Sequence, residues 1–239
     1  MSLLSLKRVP EPELMDDDSE VEAYASAAAQ AYLEAIDRSF VGHIERLIVG
    51  AGLESGRVLD LGCGPGQILI LMKKRWPGMR IVGLDAGPAM IEKARQDAAA
   101  AGVDITYEVL RIGPAGETKL PYGDGEFDIV TCNSVIHHLN DPVGAIDEMA
   151  RVAKPDGAVL IRDLARPVFL LPYPLHVRVF GRHYEGEMRR LYEASVAAAY
   201  TPAEFGEMLR RSRLNDGRSR VFRRGITHAG IERAAHPSR

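Results

Sequence analysis

With 239 residues, 46% hydrophobic and 26% charged side chains, the chain has the size and composition of one soluble α/β domain with an accessory segment. A net charge of −3 supplies no global attraction to nucleic acid or to an anionic membrane surface, so neither partner is expected. No apolar run approaches the ~20 residues of a membrane span, residues 1–14 lack the apolar core of a secretory signal, and Cys63 and Cys132 read as reduced thiols of a cytoplasmic protein that, without clustered histidines, make no metal site.

Residues 1–20 read as a flexible lead-in, because Pro10, Pro12 and the acids Asp16, Asp17 and Asp18 discourage regular structure. From residue 21 the pattern turns helical, with Tyr24, Ala27, Ala28, Ala31, Tyr32, Ala35 and Ile36 on one stripe. A second helix is predicted over 39–49, stopped by Gly50, Ala51 and Gly52. Residues 58–61 form a short buried strand, followed at once by Gly62, Gly64 and Gly66 and then by a helical run over 68–75. Such a loop lets a ligand approach the backbone, and the helix start offers free N–H groups. A second strand over 80–85 ends on Asp85, about 20 residues past the glycines, where an acid takes a ribose diol.

Pro88 opens a further helix. A third strand is predicted over 105–110, and the turn from Pro121 leads into a fourth strand that Asp128 starts and supports. Asn133, Ser134, His137 and His138 follow at its carboxyl end, where open α/β sheets place their ligands. Adjacent helical side chains diverge by about 100°, so one of the two histidines is expected to face inward. His137 is preferred as a proton acceptor, with His138 the alternative. A helix over 143–152 buries Ala145, Ile146, Met149 and Val152; residues 154–157 make a turn, and a fifth strand over 158–161 leads to Arg162 and Asp163. Residues 164–200 look like an insertion, cut by Pro167, Pro172 and Pro174 and rich in aromatics, histidines and arginines. Such a segment either caps a substrate pocket or packs on the sheet or on a second copy of the chain. Thr201, Pro202 and Glu204 start a helix as cap, first helical residue and capping-box partner. Two last strands, 219–223 and 226–232, close the chain, and the arginines between 210 and 224 read as a solvated face.

Two cofactor families share the strand–glycine loop–helix layout. The dinucleotide fingerprint is G-x-G-x-x-G, whereas here the spacing is G-x-G-x-G, with Gln67 at the third dinucleotide position and Asp60 ahead of the loop. This D-x-G-x-G-x-G resembles motif I of the class I S-adenosylmethionine (SAM) methyltransferases. The segment from Pro121 to Asp128, the His137–Pro142 run and Lys154–Gly157 with Asp163 resemble the small-molecule branch of that family, the quinone-biosynthesis type. The resemblance implies a doubly wound Rossmann-like sheet of seven strands, mostly parallel with an antiparallel C-terminal pair and helices on both faces. It also implies N-terminal helices (21–52) over the cofactor site, and a methyltransferase domain (53–239) with a cap at 164–200.

It implies SAM as cofactor, S-adenosylhomocysteine (SAH) as product, and methyl transfer to a small molecule by in-line displacement. It places Asp60, Gly62, Cys63, Gly64, Gly66, Gln67, Asn133 and Ser134 around the methionine end, Asp85 on the ribose, and Ala86 and Met90 beside the adenine. Relatives carry a Gly-Asp pair before the Leu-Pro at 120–121 whose Asp binds the adenine amino group. No Asp stands there in this chain, which leaves Glu117 or the backbone at Arg111 and Ile112. Tyr24, Tyr32, Asp163, Tyr173 and His176 are the candidate acceptor contacts, and a homodimer through 164–200 is a further expectation. The alternatives are a non-catalytic SAM-binding protein of the same fold and a nucleic-acid methyltransferase. The tandem-proline motif of the base-amine methyltransferases is absent after strand four, and the glycine spacing disfavours a dehydrogenase.

Overall fold

A computed structural model describes residues 6–11, 31–112, 119–168 and 172–236. The described elements run α1 (Ala31–Ile48), β1 (Arg57–Leu61), α2 (Gln67–Arg75), β2 (Arg80–Asp85), α3 (Pro88–Ala100), β3 (Thr106–Val109) and β4 (Phe127–Asn133). They continue with a 3-10 turn (Ile136–His138), α4 (Pro142–Val152), β5 (Ala153–Leu164), α5 (Pro172–Phe180), α6 (Gly186–Ala198), α7 (Pro202–Arg211), β6 (Arg220–Arg224) and β7 (His228–Arg233). Among the described residues one sheet of 7 strands has the order β3-β2-β1-β4-β5-β7-β6. Strands β3, β2, β1, β4 and β5 pair in parallel with one another, and β7 pairs antiparallel with both β5 and β6.

This order makes β1 and β4 neighbours with their crossovers leaving in opposite directions, and that reversal opens a crevice at the strands' carboxyl ends. Residues alternate between the two faces of each strand. Val58, Ile81 and Ile129 pack with Phe40, Ile44, Leu69, Met72 and Ile91, so α1, α2 and α3 cover one face. Leu59, Leu61, Val130 and Ile161 pack with Ile146, Met149, Phe205 and Met208, so α4 and α7 cover the other. The predicted stripe of Ala145, Ile146, Met149 and Val152 is fully buried. The capping box also forms, and the Arg166 guanidinium pairs with both Glu204 carboxylate oxygens at 2.8 and 2.9 Å.

Two local expectations differ. A single helix, α1, runs through residue 39, where a second helix was predicted to start. The Ser39 hydroxyl donates to the Ile36 carbonyl inside the helix, so it does not act as a cap. The turn predicted over 154–157 lies within β5 as an outward excursion: pairing with β4 passes from Phe127↔Ala153 directly to Ile129↔Ala158. Asp128 supports this corner, accepting from the Arg57 N–H at 2.8 Å and from Lys154 Nζ at 2.7 Å.

Candidate functional site

The crevice holds a cavity of about 240 Å³ whose wall runs from the glycine loop to His137 and His138. The loop is built by short range forces. Gly62 and Cys63 both donate their N–H to the Leu84 carbonyl, at 2.7 and 2.9 Å, which turns the chain sharply off β1. Gly62 has φ 72°, and a Cβ there would lie 2.2 Å from Val135 Cγ2, so the loop closes only with glycine at this position. Asp85 ties the loop to the turn after β2: its carboxylate accepts from the Gly64 N–H at 2.8 Å and from the Gly87 N–H at 2.9 Å. These bonds fix the orientation of the carboxylate at the cavity wall.

Asp60 lies on the cavity wall, buried, and accepts from the Thr131 hydroxyl at 2.6 Å. Burial raises its pKa to about 7, and the charge of Asp85 adds to the effect. A half-buried acid, Asp37 of α1, joins it on the wall; desolvation raises it to about 6, with Arg162 opposing. Two acids held close to neutrality in one cavity form a site prepared for a cation. Arg162, at the end of β5, is fully buried over the Phe40 ring and donates to Asn133 Oδ1 at 2.8 Å and Ser39 Oγ at 3.0 Å, which locks α1 across the strand ends.

Ser134 is in the left-handed region, φ 58°, a conformation that non-glycine residues adopt at a cost and that gathers at functional sites. Its N–H donates to the Arg162 carbonyl at 2.8 Å, and this bend turns the chain into the 3-10 turn. The two histidines of that turn do not diverge: their ring centroids are 4.1 Å apart and both line the cavity. His137 Nδ1 stands 2.6 Å from Asp163 Oδ1, and the His137 N–H donates to Asp163 Oδ2 at 3.0 Å. Burial disfavours the His137 cation, yet the charge and hydrogen bond of Asp163, with Glu11 behind, raise its pKa above the ordinary histidine value. Burial would raise Asp163, but His137 and two backbone N–H groups hold it below the usual carboxylate range.

Residues 59–161 match the family described as "Methyltransferase domain". Over this stretch the chain is similar to a methyltransferase domain. An uncharacterized methyltransferase of Schizosaccharomyces pombe is 30% identical over 161 residues, which are 66% of this chain and 54% of that protein. A ubiquinone biosynthesis O-methyltransferase of Alkalilimnicola ehrlichii is 34% identical over 48% of this chain and 44% of its own. The chain thus spans about half the length of the curated relatives it matches. The plantazolicin methyltransferase BpumL, solved in complex with SAH, shares the fold at a TM-score of 0.66 and 12% identity, over 92% of this chain and 91% of its own.

The cavity wall gathers Asp60, Gly62, Cys63, Gly64, Gln67, Asp85, Ala86, Met90, Arg111, Ile112, Asn133, Ser134, His137 and His138, with Tyr32 from α1. Gly66 is not on the wall. A Cβ there would lie 2.4 Å from Tyr107 Oη, so its small size serves packing of the loop against β3. Asp163 is likewise not on the wall, because its carboxylate is spent on His137 and the Leu164 N–H. Tyr173 and His176 also lie off the wall: Tyr173 donates to the Glu193 carbonyl at 3.2 Å, and His176 is buried against Phe180. Tyr24 and Glu117 lie outside the described residues.

The sequence reading missed Asp37, Met188, Tyr192, Thr227 and His228, all on the wall, where Tyr184 of the aromatic 164–200 segment also stands. Asp37 carried a signal, an acid four residues after Leu33 on a helix face that both share with Ile36. The other four reach the cavity through the packing of α6 and the β6–β7 turn, which spacing does not encode.

Proposed function

We propose that the chain is a SAM-dependent methyltransferase that acts on a small-molecule acceptor. One observation carries this reading: a single cavity joins the glycine loop and Asp85 to His137. Asp85 takes the ribose diol. Asp60 and Asp37 face the ammonium of the methionine end, which Asn133 and Ser134 flank. Ala86, Met90, Arg111 and Ile112 border the adenine, in place of the missing Gly-Asp acid. The donor set fits the group, since its acids are held at the cavity wall and a Cβ on Gly64 would meet nothing within 4 Å. When bound, SAM supplies an electrophilic methyl on a sulfonium.

The protein aligns a nucleophile with that methyl and excludes water. Tyr32, Tyr184, Tyr192 and Met188 offer the acceptor an aromatic, mostly apolar chamber under the 164–200 cap. His137 gives its Nδ1–H to Asp163, and its Nε2 is the atom that takes a proton from an acceptor hydroxyl or amine. The chain works in the cytoplasm, and a second copy docks through the cap. No helix among the described residues is long and apolar enough to cross a membrane.

His137→Ala is expected to lower turnover by about 10²–10⁴-fold on an acceptor panel while leaving SAM affinity in place. Unchanged turnover would remove His137 from the chemistry. SAM binding without methyl transfer to any member of the panel would favour a non-catalytic SAM-binding protein.

A further inference from the structure

The segment 6–11 is fastened to the domain at several points. Leu6 donates its N–H to the Val168 carbonyl at 3.2 Å, and Val9 to the Ala197 carbonyl at 3.0 Å. Arg8 lies over the Tyr200 ring and donates to the Ala198 carbonyl at 2.6 Å and the His137 carbonyl at 2.7 Å. Arg166 donates to the Leu6 carbonyl. These contacts deliver Glu11 to the two histidines. Glu11 Oε2 stands 3.6 Å from His137 Nε2 and 3.8 Å from His138 Nδ1.

We propose that Glu11, His137 and His138 bind a divalent transition-metal ion of the zinc class at the acceptor end of the cavity. Four observations point there. One donor atom from each residue falls in a group whose members all lie within 4.8 Å of one another. His137 Nε2 is shielded from solvent and has no hydrogen-bond partner among the described residues. At 3.6 Å its approach to Glu11 is too long for a hydrogen bond. Donor atoms around a zinc ion, with bonds of about 2.1 Å, stand about 3.4 Å apart, so the spacings of 3.6 and 3.8 Å need only a small contraction. Finally, His137 Nδ1 is paired with Asp163, the carboxylate–histidine arrangement that orients a metal-ligating imidazole and raises its basicity.

Two imidazoles and a carboxylate leave a coordination position open, and both histidines line the cavity, so the acceptor can reach it. In this form the role of His137 is to hold the metal, and the metal lowers the pKa of a bound acceptor hydroxyl. The hydroxyl proton leaves to water. The oxygen then forms its bond to the methyl carbon as the carbon–sulfur bond breaks, with the electron pair going to sulfur. This role rests on the methyltransferase reading; the binding of the ion does not.

The test is titration of the full chain with Zn²⁺ by calorimetry, after dialysis against a chelator, with SAH titrated in parallel. Co²⁺ absorption serves as a second probe of imidazole ligation. One Zn²⁺ per chain is expected. Glu11→Gln and His138→Ala should each weaken Zn²⁺ binding by tenfold or more while SAH affinity stays, and Asp163→Asn should weaken it about 10–100-fold. A wild-type chain that binds SAH but no stoichiometric Zn²⁺ would overturn the proposal. So would a Glu11→Gln variant, folded by its thermal transition, that binds Zn²⁺ as tightly as the wild type. Zn²⁺ binding without SAH binding would instead overturn the methyltransferase reading and leave the metal site standing.

Discussion

Asp60 is the residue whose ionisation the fold opposes and the proposed cofactor favours, and Asp60→Asn separates the two effects. Its carboxyl titrates at about 7 in the ligand-free fold against an ordinary value of 3.8. Because the folded value lies above the unfolded one, the stability Asp60 contributes is fully present below pH ~4 and is lost as pH rises to about 7. The whole effect is about 4 kcal/mol, of which about 2.5 kcal/mol falls between pH 5 and pH 8. Asparagine stays neutral and can still accept the Thr131 hydroxyl.

Urea unfolding of SAM-free protein at both pH values is therefore expected to show the wild type losing about 2.5 kcal/mol more than the variant. The cation of SAM should reverse the sense of this pH dependence. Between pH 5.5 and 7.5 SAM affinity should rise more than about tenfold in the wild type and much less in Asp60→Asn. Parallel stability curves for the two proteins would refute the assignment of a high pKa to Asp60. A pH-independent SAM affinity in the wild type would refute its contact with the ammonium.

Asp85→Asn keeps one carbonyl oxygen for a backbone N–H but gives up charge, so SAM affinity should fall about 10–100-fold, the loss of about 1.5–3 kcal/mol for a charge-assisted bond; calorimetry reads this directly. Gly62→Ala places a methyl 2.2 Å from Val135 at φ 72°, so the left-handed strain and the overpacking together should cost about 2–5 kcal/mol. A scanning-calorimetry transition within a degree of the wild type would contradict that account of the loop.

The order of the elements was legible because glycines, prolines and apolar periodicity are local signals. The 58–67 stretch, the Asp85 position and the Thr201 capping box all lie within a few residues of the chemistry that explains them. What could not be read is what the topology joins across long separations. Asp163 reaches His137 because Asn133 pairs with Arg162 across β4 and β5, and that register is not written in either segment alone. Glu11 reaches the histidines through the fastening of Arg8 to the Ala198 and His137 carbonyls and of Leu6 to Val168, all distant in sequence. The two histidines were expected to diverge because an α-helix was assumed; a 3-10 turn begun by the left-handed Ser134 brings their rings together. Gly66 lies off the wall for a different reason: glycine signals close approach, and here one approaching group is Tyr107 of the protein itself.

The most direct measurement of the central claim is calorimetric titration of ligand-stripped protein with SAM, SAH and NAD. The account predicts that both adenosyl ligands bind, with one site per chain, and that NAD does not. Failure of SAM and SAH to bind a demonstrably folded protein, or binding of NAD in their place, would contradict it.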